Sequence, residues 1–165
     1  MIKEKYTIKD FLPLISLFIF ITVASIAWVM LSEGNFMRWM ELFMGLFFIV
    51  FGLFKILNLK GFKDAYRMYD VVAMKYPKYG YVYPFIELTL GVLYLLGMFS
   101  LFTNIVTLFV MSISAVGVYL KLKKKEKIIC ACLGVVFKVP MTWVTLSEDL
   151  LMALMAGVVL LLILM

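Results

Sequence analysis

Long apolar stretches dominate the chain, and short polar segments separate them. Five of these stretches reach the length of about twenty residues that an α-helix needs to cross a bilayer. The predicted spans are Phe11–Leu31, Phe36–Leu57, Pro84–Ser100, Leu101–Leu120 and Leu146–Met165. Residues 100–104 leave room for only a very tight connection, so we expect the third and fourth spans to form an antiparallel pair joined there.

A different pattern fills the connection between the second and third spans. Aromatic or small residues recur there at spacings of three and four, which places them on one face of a helix. They are Phe62, Tyr66, Tyr69, Ala73 and Tyr76. The pattern predicts an amphipathic helix that lies in the cytoplasmic headgroup layer, with its rings in the acyl boundary, and that ends at Pro77.

Composition places the chain firmly among integral membrane proteins. It is 65% hydrophobic and only 16% charged, with a mean hydropathy of +1.08, whereas soluble domains are about 45–50% apolar and about 25% charged. The spans use almost the whole length, so no separate soluble domain is expected. The first apolar stretch is too long for a cleavable signal peptide. The fold class is therefore an all-α, polytopic helical bundle whose main partner is the lipid bilayer.

The basic residues orient this bundle. The net charge of +6 comes from clustered lysines, which in a membrane protein set topology and meet anionic headgroups, so no nucleic-acid partner is expected. The clusters lie at residues 3–9, 60–78 and 121–127, and they alternate to the same side of the predicted spans. The positive-inside rule places the N-terminus in the cytoplasm and the C-terminus outside, in a multi-pass protein of the bacterial cytoplasmic (inner) membrane.

The chemistry of the chain centres on sulfur, because it has two cysteines and no histidine. Cys130 and Cys132 form a C-x-C pair in an apolar segment, residues 128–139, that is too short to cross and suits a re-entrant or interfacial position. The preceding lysines would stabilise a thiolate there. A disulfide between residues so close in sequence closes a strained ring suited to exchange. A C-x-C pair equally suits one soft ion such as Cu(I) or Hg(II), and the residues leave both uses open.

Carboxylates near these cysteines are candidate auxiliaries. Glu87 lies one turn inside the third predicted span and needs a partner at that depth, so we predict an ion pair with Lys55. Asp149, at the start of the last span, is left to pair with a lysine or to take a proton. Its neighbour Glu148 fits a capping box with Thr145 as the N-cap residue.

Other residues of the spans have simpler interpretations. Gly45, Gly52, Gly91 and Gly97 indicate close helix approaches. Met152 and Met155 carry thioethers that suit Cu(I), so they are weak candidate metal ligands beside the cysteines, although flexible core filling explains most methionines equally well. Arg38 and Glu41 are expected to pair near the outer face.

Several of these motifs resemble the MauE/DoxX group of four-helix membrane proteins. The glycine-spaced helix that ends in Lys55, the aromatic connection and the Pro84-x-x-Glu87 start of the next helix are similar to that group's pattern. The segment Cys130–Gly134 is similar to the C-x-C-F-G motif of the MauE branch, with Leu133 in place of phenylalanine. The resemblance covers about residues 40–165. It implies a four-helix core at 34–165, preceded by a cytoplasmic tail and one extra transmembrane helix at 1–33.

The resemblance also implies a redox-associated role. MauE-like proteins are thought to support thiol–disulfide chemistry during maturation of partner proteins, loosely like DsbB or VKOR, and wider relatives belong to quinone-linked oxidoreductases. On this basis Cys130 and Cys132 would exchange with a thiol-containing partner, Glu87 would be the family carboxylate, and a quinone becomes a candidate cofactor. Two alternatives remain: soft-metal binding or transfer at the same cysteines, and a non-catalytic scaffold in a larger membrane complex.

Overall fold

The computed structural model describes residues 8–124, 130–133 and 143–165, and this part of the chain is helical with no strand. Its helices are α1 (Ile8–Leu31), α2 (Phe36–Leu57), α3 (Leu59–Tyr66), α4 (Val71–Lys75), α5 (Tyr79–Leu96), α6 (Ser100–Lys123) and α7 (Trp143–Leu164). Five of them, namely α1, α2, α5, α6 and α7, are long and apolar enough to cross a membrane. The predicted all-α polytopic bundle is therefore confirmed.

The boundary between the third and fourth spans differs from the prediction. The connection lies at Gly97–Phe99, and residues 100–104 form the first turn of α6. Gly97 adopts φ 67°, the left-handed conformation that glycine takes most readily, and this ends α5. The predicted third span began at Pro84, whereas α5 begins at Tyr79 and contains Pro84. Proline removes one backbone hydrogen bond there, but it does not break the helix.

The predicted amphipathic helix is present as two short helices. Asp70 separates them, because its side chain accepts hydrogen bonds from the N–H groups of Val72 and Ala73 and so starts α4. Four positions of the predicted face are buried against the bundle: Phe62, Tyr66, Tyr69 and Ala73. Tyr76 alone of that set is exposed. The three rings therefore pack on protein, and the expectation that they rest in lipid was wrong for Phe62, Tyr66 and Tyr69.

Helix α2 is the centre of the bundle. It packs on α1, α5 and α7, while α6 pairs with α7. Its contact with α5 depends on small residues: a Cβ at Gly91 would lie 3.1 Å from the backbone oxygen of Gly45, and a Cβ at Gly52 would lie 2.9 Å from Leu88 Cδ2. The close approaches predicted from these glycines are confirmed.

Helix α1 is peripheral by comparison. Only 17% of its apolar window is buried, against 61% for α2. One ring makes much of its contact, since Phe18 lies within 6.3 Å of the ring centroids of Phe43, Phe47 and Phe51. The rest of the helix mainly presents apolar side chains outward, as expected for a span that faces lipid.

The turn between α3 and α4 docks on α6 at a glycine that the sequence did not single out. A Cβ at Gly117 would lie 2.5 Å from the carbonyl oxygen of Tyr69 and 3.2 Å from Asp70 Cα. These are backbone atoms, which give way less easily than side chains. Gly117 therefore fixes the position of Tyr69.

We predict that Gly117→Ala destabilises the protein by about 1–3 kcal/mol, because the methyl group forces the Tyr69 backbone away from α6. Gly157→Ala is the matched control, since no atom lies within 4 Å of a Cβ there. Alanine favours helix over glycine by about 1 kcal/mol, so the control should be neutral or slightly stabilised. Thermal unfolding in detergent, followed by circular dichroism, measures both; equal melting temperatures would contradict the docking role of Gly117.

Candidate functional site

A small cavity lies at the end of the bundle where α2 finishes and α5 and α7 begin. Its volume is about 20 Å³, enough for about one water molecule. Most of its lining residues are polar, ionisable or aromatic, which is unusual inside a membrane protein. They are Phe47, Phe51, Lys55, Phe62, Tyr66, Tyr69, Tyr83, Glu87, Met111, Ser114, Cys130, Cys132, Thr145, Glu148 and Asp149. The cavity brings together the predicted candidates Cys130, Cys132, Glu87 and Asp149.

The two cysteines are joined by a disulfide bond, with their Cα atoms 5.4 Å apart. The backbone N–H of Cys132 points to Cys130 Sγ at 3.1 Å. Cys130 has no exposed surface, whereas Cys132 is only partly buried. Of the predicted re-entrant segment at residues 128–139, only residues 130–133 are described. The pair is thus embedded in the wall of the cavity, with Cys132 as the more accessible sulfur.

The predicted pair of Lys55 and Glu87 is present as a buried ion pair. Lys55 is 5% exposed and Glu87 is 1% exposed. The Lys55 ammonium also lies 5.0 Å from the ring centroid of Tyr83 and 5.5 Å from that of Phe62. Aromatic faces attract a cation, so the rings add to the neutralisation that Glu87 supplies.

Two further carboxyl groups come from the first turns of α7. Asp149 Oδ2 accepts a hydrogen bond of 2.9 Å from Ser114 Oγ. Glu148 is buried, and its Oε1 has no hydrogen-bond partner among the described residues. The capping-box interpretation was wrong, because α7 includes Trp143 and Val144, which places Thr145 inside the helix. Thr145 and Glu148 are both buried at the cavity instead of capping a helix end.

Aromatic side chains, mostly tyrosines, line the side of the cavity that faces the α3–α4 segment. The ring centroids of Tyr66 and Tyr83 lie 4.6 Å apart, and those of Tyr66 and Phe62 lie 4.9 Å apart. The Tyr69 hydroxyl contacts the backbone amide of Ala131, the residue between the cysteines. Burial raises the pKa of Tyr66 and Tyr69 well above the usual value of 10.0, so both phenols stay protonated at neutral pH. The α3–α4 turn thus holds the C-x-C segment in place.

The sequence contained a signal for these tyrosines, namely their helical spacing, but that spacing was interpreted as a lipid-facing pattern. Periodicity identifies an apolar face without saying whether lipid or protein covers it. Ser114 had no sequence signal of a role at the cysteines, because it meets the cavity only through the tertiary packing of α6 on α7. Glu148 had one, since with Asp149 it forms an acidic pair near the cysteines in sequence, but the capping interpretation was preferred for it.

The weak metal candidates lie elsewhere. Met152 and Met155 are buried core residues and do not line the cavity. Among the residues that the structure describes, no group of three or more His, Cys, Asp or Glu is placed to hold a metal ion. The described lysines that precede the cysteines, Lys121, Lys123 and Lys124, do not line the cavity either. Among the described residues, the lysine that lines the cavity is Lys55.

The opposite end of the bundle is tied by a separate polar network. The predicted pair of Arg38 and Glu41 is present, with an Nη1–Oε2 distance of 3.2 Å. Arg38 also donates to the carbonyl oxygens of Tyr94 and Leu95 at the end of α5. Glu41 accepts from Ser100 at the start of α6. Arg38 thus satisfies two carbonyl groups at the end of α5, and Glu41 ties α2 to the first residue of α6, so the network has a structural explanation.

The arrangement defines a class: a small all-helical membrane protein that holds a C-x-C disulfide beside buried ionisable groups at one end of the bundle. One family matches it in sequence. The family described as "Methylamine utilisation protein MauE" matches residues 26–163, and the chain belongs to that family. No curated protein and no solved structure matches the chain.

We predict that Lys55→Met destabilises the protein by about 3–5 kcal/mol, because it leaves the Glu87 carboxylate buried without its cation. The double variant Lys55→Met/Glu87→Gln should recover most of that loss. Denaturant unfolding in detergent micelles measures the free energies for a double-mutant cycle. Asp64→Asn is the control, because it removes the acid of the exposed Lys63–Asp64 pair and should change little. Additive losses in the cycle would contradict direct coupling.

Asp70 gives a pH-dependent prediction. Burial raises its pKa above the ordinary value of 3.8, although the N–H groups of Ala73 and Val72 and the nearby Tyr66 oppose the shift. A raised pKa in the folded state means that ionisation costs stability as pH rises through it. Asp70→Asn keeps the capping oxygen without the charge. The variant should therefore gain stability over the parent near neutral pH, and the gain should vanish toward acid.

Melting temperatures of both proteins between about pH 4 and about pH 8 test this expectation. Asp64→Asn is the control, because the hydrogen bond from Lys63 lowers the pKa of Asp64 from its ordinary value of 3.8. Asp64 therefore stays ionised over the whole range, and the small difference between this variant and the parent should not change with pH. A difference between Asp70→Asn and the parent that stays constant over the whole range would show that the Asp70 charge carries no such cost.

Proposed function

We propose that this protein carries out thiol–disulfide exchange in the membrane through Cys130 and Cys132. The observation that carries the proposal is the position of the disulfide. The only two cysteines of the chain are bonded to each other on the wall of a cavity that also holds an ion pair and two more carboxyl groups. A purely structural disulfide has no need of such neighbours, whereas exchange needs groups that stabilise a thiolate and move protons.

The exchange begins at Cys132, since it is the more accessible sulfur. A thiolate of a partner protein attacks Cys132 Sγ, the bond to Cys130 breaks, and Cys130 leaves with the electron pair. A second thiol of the partner then attacks the mixed disulfide and releases Cys132. The partner loses two electrons and two protons and gains a disulfide, while Cys130 and Cys132 become thiols.

The cavity residues assist by charge and proton transfer. The Lys55 ammonium supplies positive charge near the departing Cys130 sulfur. Asp149 and Glu87 are the carboxyl groups placed to exchange protons with the thiols through the water-sized space that they share. Tyr69 acts as a positioning residue, because its hydroxyl holds Ala131 between the two cysteines.

The proposal includes the orientation of the protein in the membrane. The basic residues at 60–78 and at 121–124 lie at the cavity end of the bundle. The positive-inside rule then places this end at the cytoplasmic face of the inner membrane, with the N-terminus inside and the C-terminus outside. In this orientation helix α1 precedes a four-helix core at residues 34–165, and the partner is a protein that reaches a thiol into the membrane at that face.

Trapping of mixed disulfides tests the exchange. In Cys130→Ser the Cys132 thiolate attacks the disulfide of an oxidised partner and releases one partner thiol, and no Cys130 thiol is present to complete this reverse exchange. Mixed-disulfide adducts should therefore accumulate on non-reducing gels. Cys132→Ser is the matched variant, and it should trap far less, by roughly tenfold, because Cys130 is enclosed. Thiol alkylation and mass spectrometry of the parent protein, taken directly from cells, should find the oxidised and the reduced pair.

Other outcomes identify the alternatives. Cysteines that stay reduced in cells and bind added Cu(I) tightly would replace exchange with soft-metal handling. A disulfide that never opens and forms no adduct in either variant would leave a scaffold protein.

A further inference from the structure

An apolar groove runs along the outside of the bundle between α1 and α7. It has a volume of about 300 Å³, which is at the lower end of sites for small organic ligands. Its walls are Leu14, Ile15, Phe18, Ile19, Val144, Ser147, Glu148 and Leu151. These residues belong to two spans, so the groove opens sideways toward the acyl chains. A ligand that enters it must dissolve in lipid.

Glu148 belongs to the walls of both the groove and the disulfide cavity. It is 5% exposed, and its Oε1 has no hydrogen-bond partner among the described residues. A buried carboxyl oxygen that lacks a partner costs free energy unless a ligand or a proton supplies one. Glu148 is the ionisable side chain among the residues that line the groove, and it also lines the cavity that contains the cysteines.

The α1 side of the groove consists of Leu14, Ile15, Phe18 and Ile19, all of which precede the first residue of the family match, residue 26. Membership of the family therefore says nothing about this wall. The groove is a feature of this chain's own first helix, which packs on α2 through Phe18 and so leaves a gap beside α7.

We propose that this groove binds the ring of a lipid-dissolved quinone, with Glu148 as its hydrogen-bonding and proton-relaying partner. The inference rests on the proposed exchange function and supplies its second half. In its protonated form the Glu148 carboxyl group donates a hydrogen bond to a quinone carbonyl oxygen, and the apolar walls cover the ring and the first part of the tail.

The reaction balances without another reactant. Reduced Cys130 and Cys132 lose two electrons and two protons as the S–S bond forms. The quinone gains the same two electrons and two protons and leaves as quinol.

A quinone would also explain how cysteines at the cytoplasmic face become oxidised, because thiols at that face meet a reducing compartment. A membrane oxidant that reaches the pair from the lipid side renews the disulfide regardless of that compartment.

Photolabelling of the full-length protein in liposomes tests the site directly. The probe is a short-tailed azido-benzoquinone, and peptide mass spectrometry maps the labelled residues. We expect label on α1 and α7 around the groove, and competition by the unmodified short-tailed benzoquinone. Ile15→Trp fills the groove and should abolish that label. Ile26→Trp is the matched control, because Ile26 is on the same helix and is 42% exposed against 43% for Ile15, yet does not line the groove.

Glu148→Leu tests the polar contact separately. Leucine is of similar size but has no hydrogen-bond donor, so the competing benzoquinone concentration at half-maximal loss of label should rise about fivefold, the loss of one hydrogen bond. A photoreactive fatty acid serves as the comparison probe. Its labelling should be insensitive to Glu148→Leu, because its acyl chain accepts no hydrogen bond from the carboxyl group.

The outcomes separate this inference from the exchange function. Label that spreads evenly over the spans, that survives Ile15→Trp, or that the fatty acid displaces as well as the benzoquinone overturns the quinone site. If mixed disulfides still form at Cys132 in that case, exchange stands and its oxidant is another molecule. If specific label appears while no mixed disulfide forms, the exchange function fails instead, and with it the role of the groove in oxidising cysteines.

Discussion

The buried ion pair between Lys55 and Glu87 is the interaction on which the rest of the site depends. It joins the end of α2 to the middle of α5 in surroundings with almost no solvent. Neither charge is tolerable alone at that depth, so the two helices meet in one register and the glycine contacts along them follow. The rings of Phe62 and Tyr83 close around the ammonium, which in turn draws the α3–α4 segment onto the bundle. These helices and rings form the cavity that the disulfide also lines.

Much of this architecture could be predicted from the sequence because membranes impose strict rules. Apolar length defines the spans, and an isolated charge inside a span demands a partner, which is why the Lys55–Glu87 pair was predictable. Two features escaped. The aromatic face of α3 was interpreted as facing lipid, since lipid and protein interior are equally apolar and periodicity does not tell them apart. Glu148 matched a local capping pattern with Thr145, although its true environment is set by a helix that begins earlier along the chain.

The chemistry around the cysteines also differs from what their flanking residues indicated. Neighbouring lysines predicted a stabilised thiolate, but charge near in sequence is not charge near in space. The amino and carboxyl groups that line the cavity with the sulfur atoms come from α2, α5 and α7, and among the described residues they are one ammonium and three carboxyl groups. Such a set suits a pair that cycles between dithiol and disulfide, because protons have to be held while electrons move. It suits a permanently charged thiolate much less.

The loose attachment of α1 has an evolutionary consequence. Only 17% of its apolar window is buried against protein, and lipid accepts any apolar residue of similar size. We therefore expect selection on the outward-facing positions to act on hydropathy and length more than on residue identity. Positions such as Phe18, which meets three rings of α2, are held to a particular shape. We expect a first helix of this kind to diverge faster than the core it covers, and with it the access that the lipid phase has to the bundle.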